Sequence, residues 1–361
     1  LDATVAVLRS NAERWARLAV ADKVDALEGI VDRTDRVAET WVRDAASAKG
    51  IPTDSPWVGE EWISGPWALI TAASQYAESL RAIDSGTSPI SGVGRHRRPD
   101  GRVVLDVFPA NLYDRLLLNA YSAEVWMQPG VTEENLSRHV APFYRIADPS
   151  GHVALVLGAG NISSIVPLDL LYKMFVEGAV GLVKMNPVND YLGEHLEAIF
   201  APLVAEGFVR FAYGAADVGG ALCEHEGVDS IHITGSAMTH DTIVFGSDDG
   251  AAERKRKSDP VLEKPMTSEL GGVGATIVVP GPWDDGDIAY QAENLATMKL
   301  HNGGFNCIAL QVVVLPRSWE RTVELEDALA HTIRSLEPRE PYYPGAGDRL
   351  ASLLAGHPDA E

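Results

Sequence analysis

Cysteine is nearly absent from this chain: Cys223 and Cys307 are the only two among 361 residues. Two cysteines make no disulfide framework, and their scarcity points to a reducing compartment, read here as the cytoplasm. Long apolar runs are missing too. None approaches the ~20 residues that span a bilayer, so no membrane partner is expected. The opening "LDATVAVLRSNAERWARL" lacks the basic-then-apolar order of a signal peptide, and it lacks an initiator Met, which reads as a trimmed or incompletely represented chain. Basic residues number 30 against 51 acidic ones, for a net charge of −21. That balance argues against a nucleic-acid or anionic-membrane partner. There is no internal repeat, no low-complexity tract, and no Cys/His/Asp cluster at metal-ligand spacing, so no metal site is expected.

What is present is the profile of a globular protein, 46% hydrophobic and 22% charged, with length for two or three domains. The first 90 residues read as helical. Val24, Leu27, Ile30, Val31, Val37, Trp41 and Val42 fall mostly at three- and four-residue steps, and Gly50 and Pro52 end that helix. Residues 85–102, rich in Gly, Ser, Pro and Arg, read as a loop or extended connector. From residue 151 short apolar runs (152–158, 179–187, 208–214, 228–236, 275–281, 308–316) alternate with helical stretches at 165–178, about 190–206 and about 284–300. Strands apolar on both faces, spaced by helices, predict a parallel sheet covered on both sides.

The informative polar residues follow these strands. Asn161 follows 152–158 through "GAGN", Lys184 ends the next strand, and Gly235 and Ser236 close 228–234. Ligands of open parallel sheets bind outside the carboxyl ends of the strands, near helix N-termini that favour anions. The "GAG" alone lacks the third glycine of the dinucleotide fingerprint. In "SELGGVG" Glu269 stands before Gly271 and Gly272, glycines that allow positive φ and close approach, and a carboxylate held there suits a general base. Cys307 sits in "HNGGFNCIALQ", at the entrance of an apolar run rather than inside it.

"SELGG" followed 38 residues later by "GGFNCIA", with "VDSIHITGS" and "GAVGLVKMNP" upstream, resembles the aldehyde dehydrogenase superfamily over about residues 150–316. The resemblance implies an α/β fold: a doubly wound, Rossmann-like parallel-sheet cofactor domain, a partial α/β catalytic domain, and a helical N-terminal segment. It divides the chain into 1–268, carrying the N-terminal helices and the dinucleotide-binding domain, and 269–361, a catalytic domain incomplete at its C-terminal side. It implies NAD(P)-dependent oxidation of a small-molecule aldehyde to a carboxylic acid. Cys307 would be the nucleophile forming a thiohemiacetal and then a thioester, Asn161 an oxyanion donor, and Glu269 the base that activates water. NAD or NADP would be held by Lys184, Gly235, Ser236, Asn186 and Gly271. The complete protein would be a homo-oligomer, a dimer or tetramer.

Departures from the family pattern are expected to matter. Ala159-Gly160 stands where Pro-Trp usually precedes the catalytic Asn. Asn186 and Pro187 stand where an acidic ribose contact is common, which favours a 2′-phosphate or a different ribose contact. His240 replaces a glycine, and "ERKRKSD" (253–259) reads as a solvated loop or a phosphate contact. A coenzyme-A-acylating enzyme and a non-catalytic binding module are the rival readings. So are plainer roles: Cys307 as a buried structural thiol, Glu269 as a capping carboxylate, Asn161 as a left-handed turn residue, Lys184 as an exposed strand end. Cys223 reads as structural, and His232 as pointing to the other face of its strand. No Asn or Asp is evidently placed to orient His301 for a Cys/His hydrolase.

Overall fold

The computed structural model describes residues 1–359. Helices Asp2–Ala16, Val20–Ala48 and Ala68–Asp84 fill most of the first 90 residues. In the second, Val24, Leu27, Ile30, Trp41 and Val42 are buried, as the spacing predicts, and Gly50 follows it at φ 66°. The stretch read as a connector departs from expectation. Residues 94–97 form β1, which joins β2 (Val103–Phe108) and β3 (Ala123–Trp126) in a three-stranded antiparallel sheet. Its polar, arginine-rich sequence hid it, because both faces of β1 are exposed.

Five parallel strands follow: β4 (Val153–Leu157), β5 (Val180–Lys184), β6 (Val209–Ala212), β7 (Ser230–Gly235) and β8 (Met266–Leu270). Their order is β6-β5-β4-β7-β8, the doubly wound arrangement. β4 and β5 are buried at every position, hence their unbroken apolar sequences. β8 is largely exposed, and "MTSEL" carries no apolar run by which to read it. Glu269 therefore lies within a strand, and the boundary expected between 268 and 269 falls inside β8. After Gly271 and Gly272 the chain enters a second, two-stranded parallel sheet of β9 (Gly274–Ile277) and β10 (Leu310–Val314). The helix expected over 190–206 is interrupted at Phe200, with Pro202 opening its second piece.

The main core joins the N-terminal helices to the five-stranded sheet and the helices around it. Trp15, fully buried, packs edge-on against Phe175 at 5.3 Å and donates from Nε1 to the Met174 carbonyl (3.1 Å). A smaller core of Val278, Ile288, Ala292, Leu295, Leu310 and Leu325 underlies the two-stranded sheet. No described helix is long and apolar enough to cross a membrane.

Lys23 is buried at this N-terminal junction, 1% exposed. Its Nζ faces the rings of Phe143 (4.8 Å), Trp15 and Tyr144 (both 5.3 Å), with no carboxylate partner among the described residues. Burial pulls its pKa down to about 8. Below pH 8 the folded and unfolded states are both charged, and the burial cost is fully present. Between about pH 8 and 10.5 the folded state sheds its proton first, so this group's contribution to stability rises with pH, by up to about 3 kcal/mol. Urea unfolding at pH 8 and pH 10 should show this rise in wild type and a smaller one in Lys23→Met. Equal pH dependence in both would sink the assignment.

Candidate active site at the carboxyl edge of the sheet

The strand order reverses beside β4: the chain runs β4-β5-β6 to one side, then crosses to β7-β8 on the other. Such a reversal opens a crevice above the carboxyl ends. Leu157 is level with Lys184 and Ile233, and Thr234 with Glu269. Lys184 and Glu269, at the ends of the β5 and β8 ladders, and the loops bearing Asn161 and Ser236 therefore lie along one edge of the sheet.

After β4, the Gly158 N–H donates to the Lys184 carbonyl (3.0 Å). Asn186 spans back, donating from Nδ2 to the Gly158 carbonyl (3.2 Å) while its Oδ1 accepts from the Val188 N–H (3.0 Å). Asn189 adds a bond to the Ala159 carbonyl (2.8 Å). A Cβ on Gly160 would lie 2.8 Å from Asn186 Oδ1. Two departures from the family pattern, Gly160 and Asn186, are thus one feature: the missing side chain at 160 makes room for the amide at 186. Asn186 is engaged with this loop through both its amide nitrogen and its amide oxygen. Lys184 is 7% exposed, so it is no exposed strand end. Burial lowers its pKa, opposed by Asp217 and Asp190.

On the far side of the crevice, Ser236 caps the helix Ala237–Phe245, its Oγ accepting from the Thr239 N–H (3.0 Å). The amides of Ala237 and Met238 precede any intrahelical carbonyl and point out of the helix start. A Cβ at Gly235 would meet only Ile233, at 3.4 Å, and at Gly271 or Gly272 it would meet nothing within 4 Å. The protein's own packing requires glycine at none of the three; open space lies beside them. The positive φ that Gly271 and Gly272 allow is not adopted there. It belongs instead to Asn302 (55°), Gly303 (63°) and Gly304 (80°), three successive left-handed residues between the helix Asp285–Leu300 and Cys307. Glycine reaches that region without strain, and Asn tolerates it best among the others.

Cys307 is exposed, which removes its reading as a buried structural thiol. Its carbonyl accepts from the Gly272 N–H (3.5 Å), tying the thiol turn to the segment after Glu269. Asn161 donates from Nδ2 to the Phe305 carbonyl (2.8 Å) and has no positive φ, so it is not a left-handed turn residue. Glu269 caps no helix. Beneath it Thr267 meets His232 Nδ1 (2.8 Å) and Lys173 Nζ (3.2 Å). Lys173, 2% exposed, carried no signal in the sequence, since it stands in an ordinary helical run.

Other expectations resolve here. Cys223 is buried, and burial pushes its thiol up to about 11, in keeping with a structural role. The basic run forms a helix whose Arg254 and Lys255 pair with Asp248 (2.7 Å) and Asp241 (2.6 Å), while Lys257 pairs with Glu253 (3.0 Å). His301 does have an Asn beside it, contrary to expectation: the Asn306 amide meets its Nδ1. No hydrogen bond joins His301 to Cys307 among the described residues. His96, Asp106 and Glu124, from three different strands, bring exposed ligand atoms within 4.8 Å of one another, a juxtaposition invisible in linear spacing.

Residues 123–344 match the sequence profile of the aldehyde dehydrogenase family. The chain belongs to that family. It is 25% identical over 214 residues to an N-succinylglutamate 5-semialdehyde dehydrogenase of Sphingopyxis alaskensis, a match covering 59% of this chain and 37% of that protein. Its fold is similar to that of a Mycobacterium tuberculosis aldehyde dehydrogenase complexed with NAD+ (TM-score 0.63, 16% identity, 98% of this chain, 61% of that one). It is likewise similar to an NADP-dependent glyceraldehyde-3-phosphate dehydrogenase from Bacillus halodurans complexed with NADP (TM-score 0.56, 17% identity, 94% and 57%). The chain spans less than two thirds of each of these proteins, and at the two structural identities the likeness is one of fold.

In this member of the aldehyde dehydrogenase family the Gly160–Asn186 contact leads to a stability prediction. Gly160→Ala should lower unfolding free energy by about 1–3 kcal/mol, because the added methyl overpacks a loop fixed by four hydrogen bonds. A denaturation midpoint equal to wild type would show that Asn186 yields instead.

Proposed function

We propose that the protein oxidises an aldehyde to a carboxylic acid with NAD or NADP, through covalent chemistry at Cys307. The observation that carries this reading is the tethering of three separate segments at one sheet edge. Cys307 is bonded to Gly272, Asn161 to Phe305, and Glu269 is paired in register with Thr234, next to Gly235 and Ser236.

The residues fit a dinucleotide. Open space beside Gly235, Gly271 and Gly272, the helix start at Ser236 and the cation at Lys184 supply room, N–H donors and positive charge for a pyrophosphate and ribose. When bound, the nicotinamide supplies the hydride acceptor. Cys307 Sγ, deprotonated, attacks the aldehyde carbon to give a thiohemiacetal, and its oxyanion is met by the Cys307 N–H and the Asn161 amide. Loss of hydride leaves a thioester on Cys307. Glu269 takes a proton from water, which attacks that thioester, releasing the carboxylic acid and restoring the thiol. A carboxylate in this position favours hydrolysis over acyl transfer to coenzyme A, and the carboxylate partners of Arg254, Lys255 and Lys257 leave that run as a solvated surface. The protein is taken to act in the cytoplasm as a homo-oligomer on a small aldehyde.

Nicotinamide reduction, followed by absorbance over a panel of short, long and aromatic aldehydes with NAD or NADP, tests the reading. Turnover should proceed without coenzyme A and vanish in Cys307→Ala. Asn161→Ala should lose about 10²–10³ in kcat, and Glu269→Gln about 10²–10⁴. Strict dependence on coenzyme A would assign the acylating class instead, and silence throughout would leave a binding module.

A further inference from the structure

Lys49 lies far from Cys307 in sequence, at the end of the helix Val20–Ala48, yet its ammonium reaches the cysteine turn. The side chain is 4% exposed, and its Nζ donates to Glu61 Oε1 (2.7 Å) and to Asn302 Oδ1 (2.9 Å). Glu61 is equally buried, at 1%. A buried ion pair by itself is poor evidence of stabilisation, since desolvation offsets the attraction. What distinguishes this pair is its third member.

Asn302 is 1% exposed and left-handed, and its polar groups are engaged on every side. Its N–H donates to Glu60 Oε2 (3.0 Å), which also accepts from Arg339 (2.7 Å). Its Oδ1 accepts from Lys49 and from the Tyr342 hydroxyl (3.2 Å). Its Nδ2 donates to the carbonyls of Asn161 (3.0 Å) and Phe305 (3.4 Å). One residue thus anchors both the segment bearing Asn161 and the turn that presents Cys307, and a buried charge from the N-terminal helices anchors that residue.

We infer that Lys49 is a positioning residue for the reaction, fixing Asn302 and through it the relative placement of Asn161 and Cys307. This rests on the reading of Cys307 as nucleophile. Catalysis by oriented groups is sensitive to small displacements, so a loosened anchor lowers turnover without weakening cofactor binding.

Lys49→Met alone would strand the Glu61 carboxylate, so the test variant is Lys49→Met/Glu61→Leu, which removes both charges. In the folded variant, amide hydrogen exchange over residues 301–307 should quicken about tenfold or more, with β4 and β5 unchanged. Its kcat should fall about tenfold or more while KM for NAD(P) stays within about twofold. Asn302→Gly, which keeps the left-handed backbone and deletes only the side chain, should give the same losses and combine with the double variant less than additively. Wild-type exchange over 301–307, wild-type kcat, or full additivity would each overturn the inference. Should wild type itself show no turnover, the dehydrogenase reading fails separately, and exchange together with the rate of Cys307 alkylation still decides whether Lys49 holds the turn.

Discussion

The parallel register of β5, β4, β7 and β8 is the constraint on which the site depends. Four segments, the outermost more than a hundred residues apart in sequence, deliver their side chains to one edge only because the hydrogen-bond ladders bring the strands out level. A slip of one residue in β7 or β8 would turn Thr234 and Glu269 to the opposite face. Register of this kind needs both sheet faces covered, and the first N-terminal helix packs against β4, β5 and β6, with Trp15 wedged against Phe175 and Phe208. Helices remote from the chemistry thereby set its geometry.

Polar contacts then refine what the sheet roughly places. Asn186, Asn189 and Gly160 fix the loop after β4, whereas Lys49, Glu61, Asn302 and Tyr342 fix the turn before Cys307. The two sets differ in energetic character. The first is neutral amide to carbonyl, about 1 kcal/mol per bond. The second contains a buried ion pair, where loss of one partner costs about 3–5 kcal/mol because the other charge is left without compensation. Burial draws the Lys49 ammonium downward in pKa, Glu61 draws it up, and the neighbouring Arg339 opposes Glu61. Such an arrangement tolerates replacement of both charges better than replacement of one.

Much of this was legible in the sequence, for definite reasons. β4, β5 and the helix at 20–48 announced themselves by apolar runs and helical spacing, since burial selects those patterns directly. Cys307, Glu269 and the GGFNC turn stood out because glycine, cysteine and a lone carboxylate are unusual beside buried strands. β1 and β8 were not legible, being exposed and polar and held by backbone bonds rather than by side-chain burial. Nor was the partner of Asn302. Lys49, just past an amphipathic helix, and Glu61, in the short helix Val58–Trp62, look like ordinary surface charges, and only three-dimensional closure makes them a buried pair. Gly271 and Gly272 permit a left-handed backbone, but the residues that adopt one lie at 302–304, because composition marks where glycine stands and not which glycine the backbone needs.

The two-stranded sheet of β9 and β10 carries one more consequence. Among the described residues its ladder joins only those two strands, and Ile277, Val279, Val312 and Val314 are exposed by 70, 70, 43 and 47%. Unpaired edges flanked by apolar side chains are templates for pairing with other strands. Such an edge favours self-association at high concentration. The acidic surface, with its net charge of −21, works against that tendency by keeping molecules apart, and added salt weakens this protection by screening the repulsion.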